Sequence, residues 1–191
     1  MYAIFILIVE FVRAINFILE RCEVKAMLIG NPDNFALMLE IVPEWCSDNF
    51  VQGIFYVYVN GVIYPDTLRT TTLNSEIYGL LEDNSPFLNP QIDKELYNLE
   101  ADELFKEICN ITFPKTETAD NNYSYSIPLV ELSNAGVYLF IVASENEVKI
   151  IIGKHDEENE LTYVDEAKVS MADFEYIKQR LHDYYADNIK C

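Results

Sequence analysis

Two apolar runs, Ile54–Val59 and Val62–Tyr64, flank the dipeptide Asn60-Gly61. A tight two-residue turn needs positive φ at both central positions, which Asn and Gly supply, so the pattern predicts a β-hairpin. Pro65 has no amide hydrogen to donate to a ladder and ends the second run. Thr70-Thr71-Thr72 offers hydroxyls to cap a helix starting near Leu73. From there Leu73, Ile77, Leu80 and Leu81 recur at helical spacing, predicting a helix over Leu73–Leu81. Upstream, Gly30-Asn31-Pro32-Asp33 is turn chemistry. Phe35–Val42 is apolar except for Glu40 and runs into Pro43, which predicts a strand. The loop Pro43–Asn49 carries the single tryptophan, Trp45, expected here as a plug in the core.

After a proline-containing loop over Glu82–Pro90, helical spacing returns in Leu96–Ile108, with Leu96, Leu99, Leu104, Phe105 and Ile108 on one side. Thr112–Asn122 is polar and reads as an exposed loop. Tyr123–Val130 alternates, and Pro128 marks it as an edge strand or a bulge. Gly136–Ala143 and Val148–Gly153 are strongly apolar strands joined by a short loop, Ser144–Glu147. Leu161–Val169 is a further strand. Ser170, with Asp173 three residues on, caps a final helix over Met171–Asp187, whose apolar stripe is Phe174, Ile177, Leu181, Tyr184 and Tyr185. Short connections between strands favour antiparallel pairing. The expected fold is α+β: a mostly antiparallel sheet with helices packed against it and a helix at the C-terminus.

The first 26 residues stand apart. MYAIFILIVEFVRAINFILERCEVKA opens on an apolar run too short to cross a bilayer, which takes about 20 residues. It has neither the basic start nor the small-residue cleavage site of a secretory signal. Three readings are open: a helix packed on the domain or on a partner, a membrane-associated anchor, or an upstream start that does not belong to the functional protein. A membrane role rests on this segment alone. The expected organisation is therefore an apolar extension over 1–26 and a single α+β domain over 27–191.

The chain has 191 residues, half of them hydrophobic, enough to build a sizeable core, and a formal net charge of −19. Met1–Ala26 is neutral, so the excess acid lies from Met27 onward. Such a charge repels phosphate backbones and argues against a nucleic-acid partner. It suits an ordinary acidic cytosolic protein or one that attracts a basic partner. Cys22, Cys46, Cys109 and Cys191 show neither CxxC nor metal-ligand spacing, and they read as free thiols in a reducing cytoplasm. His155 and His182 are isolated. The chain has no glycine-rich phosphate loop, no HExxH and no GxSxG, and adjacent carboxylates such as Asp102/Glu103 read as solvated faces. No catalytic, cofactor-binding or metal-binding residues are assigned.

From Met27 the chain resembles the bacterial toxin-immunity proteins of the immunity protein 42 family. The resemblance is carried by IGNPDNFAL at Ile29–Leu37, by the Trp45 region, and by GIFYVYVNGVIYP continuing through Leu68-Arg69-Thr70-Thr71-Thr72-Leu73. It is clearest in the first half of the domain and does not include Met1–Ala26. It implies a cytoplasmic, non-enzymatic protein, encoded beside a secreted or contact-delivered toxin, that binds the toxin domain and blocks it. Toxin domains of this kind are often nucleases, and nucleases are often basic. Contacts are then expected among acids and aromatics on loops: Asp156, Glu157, Glu158 and Glu160 first, Asp120 and Tyr123 second. The alternative is an acidic structural or scaffold domain without a toxin partner.

Overall fold

A computed structural model describes residues 26–115, 120–155 and 161–189. The first sheet is built from β1 (Ala26–Asn31), β2 (Phe35–Ile41), β3 (Gln52–Val59), β4 (Val62–Tyr64) and β5 (Thr71–Thr72). Its order is β1-β2-β3-β4, with β5 pairing the other end of β3. The hairpin forms as the sequence dictates: Val59 faces Val62 across a turn in which Asn60 has φ 51 and Gly61 has φ 81. Alternation along β3 puts Phe55, Val57 and Val59 inside and leaves Ile54, Tyr56 and Tyr58 on the outer face, half-buried.

The second sheet holds β6 (Ser126–Ile127), β7 (Val137–Ala143), β8 (Glu147–His155) and β9 (Leu161–Ser170) in that order, all antiparallel. Two sheets, not one, therefore carry the helices. The reason lies in β7 and β8. Val137, Leu139 and Ile141 face the main core with the first sheet, while Phe140 and Val142 face a second cluster beneath helices. A strand buried on both faces reads as a continuous apolar run, so its central position cannot be seen from alternation.

Helix α1 (Leu73–Leu81) and the C-terminal helix α5 (Met171–Asn188) add Leu73, Ile77 and Leu80, and Phe174, Ile177 and Leu181, to the main core. Between them in the chain lie α2 (Lys94–Tyr97), α3 (Ala101–Thr112) and α4 (Val130–Asn134). Helices α2 and α3 cover the far face of the second sheet with Leu96, Leu104, Phe105 and Ile108.

Several local expectations are altered. The single helix read over Leu96–Ile108 is two. Asp93 caps α2 by accepting from the Glu95 and Leu96 amides at 3.0 Å, α2 ends at Asn98, and α3 restarts after Glu100. Both halves lie on the same sheet face, which keeps the apolar period unbroken across the gap. The strand read over Tyr123–Val130 shrinks to Ser126–Ile127 at the sheet edge. Beyond Pro128, the buried Glu76 accepts from the amides of Val130 and Glu131 at 3.0 and 3.1 Å and so opens α4. Thr72 stands at the start of α1 without capping it, because its hydroxyl accepts from the Gln52 carboxamide instead, at 2.9 Å. Trp45 is not a core plug; it is 43% exposed. Ser170 behaves as read, accepting from the Asp173 amide at 3.1 Å while its hydroxyl donates to the Asp173 carboxylate at 2.6 Å.

Candidate interaction surface

Of the residues singled out in the sequence, Asp120 and Tyr123 fall within the described structure and both are exposed. Asp156, Glu157, Glu158 and Glu160 lie outside the described residues. The strands they join are described: β8 and β9 pair out to His155 opposite Leu161. Tyr138 of β7 is paired with Gly153 of β8, close to this end of the sheet.

Tyr123 reaches the same end through ring contacts. Its ring meets Phe113 edge-on, at 6.1 Å between centroids and 78° between planes. Phe113 in turn meets Tyr138 at 5.4 Å and 62°. Tyr138 lies parallel to Phe140 at 6.4 Å, and Phe140 contacts Phe105 at 5.2 Å. Phe140 and Phe105 are fully buried, while Phe113 is 40% and Tyr123 54% exposed. The series thus runs from the core of the second cluster to the surface. Asn121 donates to the Tyr123 hydroxyl at 2.8 Å, fixing the outermost ring from its polar edge.

On the other face of the same sheet end, toward the first sheet, a second set of tyrosines meets acids. The buried Tyr64 donates to Asp165, and its ring contacts Tyr163 at 5.7 Å. Burial, then the Asp165 hydrogen bond, raises the Tyr64 hydroxyl well above its ordinary value. Tyr163 is pushed up to about 12 by burial and by the charges of Asp66 and Asp165. On the helix-covered face, Tyr125 donates to Asp93 at 3.1 Å and is raised by burial and that carboxylate. These tyrosines stay neutral at physiological pH, and Tyr64 and Tyr125 act as hydroxyl donors to carboxylates.

Among the described side chains, one histidine and two cysteines bear on catalysis. His182 is exposed on α5. The Cys109 thiol is pushed up to about 12 by burial, which keeps it protonated and a poor nucleophile. The Cys46 sulfur sits 3.4 Å from the Val42 carbonyl and accepts from the Gln52 amide at 3.3 Å. Among the described residues no group of His, Cys, Asp and Glu is arranged to hold a metal ion. No described helix is long and apolar enough to cross a membrane.

Sequence reasoning singled out Tyr123 but neither Phe113 nor Tyr138, the rings it joins in the fold. The available signal was Phe113 itself, an aromatic at the head of an otherwise polar stretch and directly before Pro114.

Comparison with known proteins adds the following. The family described as immunity protein 42 matches residues 27–184, from β1 into the last turns of α5. The likeness therefore extends beyond the first half, through the second sheet. Among solved structures, the crystal structure of CdiI from Burkholderia dolosa AUO158 superposes with a TM-score of 0.69 at 23% sequence identity, covering 82% of this chain and 99% of that one. Comparison with curated proteins gives no match.

Proposed function

The chain belongs to the immunity protein 42 family, and from that premise we propose that it binds a cognate bacterial toxin domain one to one and neutralises it. The toxin is one delivered by contact or secretion from sibling cells, and the inhibitor acts in the cytoplasm of the cell that makes it. Neutralisation comes from occupancy of the toxin, with no reaction carried out by this chain. The observation that carries the reading is the family match, which takes in both sheets and most of the C-terminal helix. The fold held in common with CdiI supports it.

The charge suggests the kind of partner. With a net charge of −19, the chain suits a basic toxin domain such as a nuclease. Complementary fields raise association to as much as ~10⁸–10⁹ M⁻¹s⁻¹ at low salt. The contact set we propose is Asp156, Glu157, Glu158 and Glu160, with Asp120 and Tyr123.

The test is co-expression with the C-terminal domain of the toxin-like protein encoded beside it. The proposal expects growth to be restored and the two chains to co-purify, with association slowing steeply as salt rises. Unrelieved toxicity and no complex at any salt would leave the acidic-scaffold reading in its place.

A further inference from the structure

We propose that Phe113 and Tyr123, backed by Tyr138, form the anchor of the toxin-binding surface, and that they receive an arginine or lysine side chain from a basic partner. The inference rests on the function proposed above and adds the part of the surface that carries the affinity.

Three observations lead to it. The first is exposure of a joined pair. Phe113 and Tyr123 touch each other and remain 40% and 54% exposed. Tyrosine and phenylalanine are enriched at interface cores, and tyrosine is among the residues that dominate binding energy there.

The second is rigidity. Phe113 stands on Tyr138, Tyr138 on Phe140 and Phe140 on Phe105, so the outer rings are supported by fully buried ones. Asn121 holds the Tyr123 hydroxyl. A surface fixed before binding loses little side-chain entropy when the partner arrives.

The third is charge. Phe113 is the C-terminal cap of α3, whose amide donates back to the Cys109 carbonyl, and α3 has no basic residue in its last turn. The C-terminal end of a helix carries partial negative charge and favours a cation. The chain as a whole carries a net charge of −19, and Asp120 lies three residues before Tyr123. Aromatic faces in an acidic setting attract a guanidinium or ammonium group.

The experiment measures binding of the toxin domain to the full chain by surface plasmon resonance. The variants are Phe113→Ala/Tyr123→Ala, Tyr123→Ser alone, and Trp45→Ala/Phe50→Ala as a second exposed aromatic pair. The double variant at Phe113 and Tyr123 is expected to weaken binding by ~30-fold or more, almost entirely through faster dissociation. Tyr123→Ser, on the outermost ring, is expected to give ~10-fold with an unchanged urea midpoint, so a folding defect in the double variant does not decide the matter. The Trp45/Phe50 variant should bind within ~threefold of the native chain, the level of a contact outside the anchor. Native-like binding by both Phe113 and Tyr123 variants, or a large loss in the Trp45/Phe50 variant alone, would overturn the inference and leave the proposed function standing. Failure of the native chain to bind would remove both.

Discussion

Gly153 lies beneath the ring of Phe105, and a single methyl there tests how firmly the aromatic series is seated. A Cβ at Gly153 would sit 2.5, 2.6 and 2.9 Å from the Cε2, Cζ and Cδ2 atoms of Phe105. Carbon atoms rest at about 3.5–4.0 Å, so the ring must retreat by roughly 1 Å. Phe105 is fully buried and has Phe140 5.2 Å away, and close-packed interiors hold few voids to retreat into. Over-packing of this kind costs about 1–3 kcal/mol. Limiting the unfolded chain by Gly→Ala returns about 0.4–1 kcal/mol. Gly153→Ala is therefore expected to destabilise by ~1–2 kcal/mol on those two magnitudes. Phe105→Leu removes the clashing ring atoms at a cost below the ~3–5 kcal/mol of Phe→Ala. In that background the alanine should be neutral or mildly stabilising, giving a coupling of ~1–2 kcal/mol. Urea denaturation of the four proteins at constant m-value measures the cycle. A neutral Gly153→Ala, or an equal cost in both backgrounds, would refute the reasoning.

Three further perturbations follow from buried groups. Glu76 accepts two amide hydrogen bonds at the start of α4; Glu76→Ala should cost ~2–3 kcal/mol and Glu76→Gln about half that, the gain per charged hydrogen bond being offset by relief of the buried charge, both read by urea denaturation at pH 7. Tyr184 is raised from 10.0 to about 12 by burial, so between those values the unfolded chain has released a proton that the folded chain keeps. Stability should then fall as pH rises through that window, by about 1.4 kcal/mol per unit from this group, and Tyr184→Phe should flatten the slope in alkaline denaturation curves. The Cys109 thiol, held protonated to about 12, should resist a thiol reagent at pH 8 in the native protein and react once urea unfolds it, as peptide mass mapping would show.

Much of the fold was legible where a local signal and the tertiary structure agree. Asn60-Gly61 had to turn, Phe35–Ile41 and β3 had to pair, and Ser170 had to start α5. The misreadings share a cause: the deciding partner is far away in sequence. Thr72 turns from capping because Gln52 lies beside it. The end of β6 gives way to α4 because Glu76, some 54 residues earlier, supplies the cap. The division into two sheets depends on which strands pair, and an apolar run such as Val137–Ala143 holds no record of its neighbours. The break between α2 and α3 was written in Asp93 and Asn98 but masked by a continuous apolar stripe.

The surface was less legible for a physical reason. Acidic loops announce themselves by composition, and Tyr123 stands out beside them. Phe113 looked like one residue of a polar loop until the fold placed it between Tyr123 and Tyr138. An interface anchor is a juxtaposition, and periodicity records only what lies along one element.

The central claim is stoichiometric neutralisation, and the most direct measurement titrates the toxin domain with this chain while heat release and toxin activity are followed together. The account predicts a calorimetric break at one equivalent, with activity vanishing at that same point. Activity abolished by a small fraction of an equivalent would indicate catalysis by this chain, and undiminished activity with no heat would show that the two proteins do not meet; either result would contradict it.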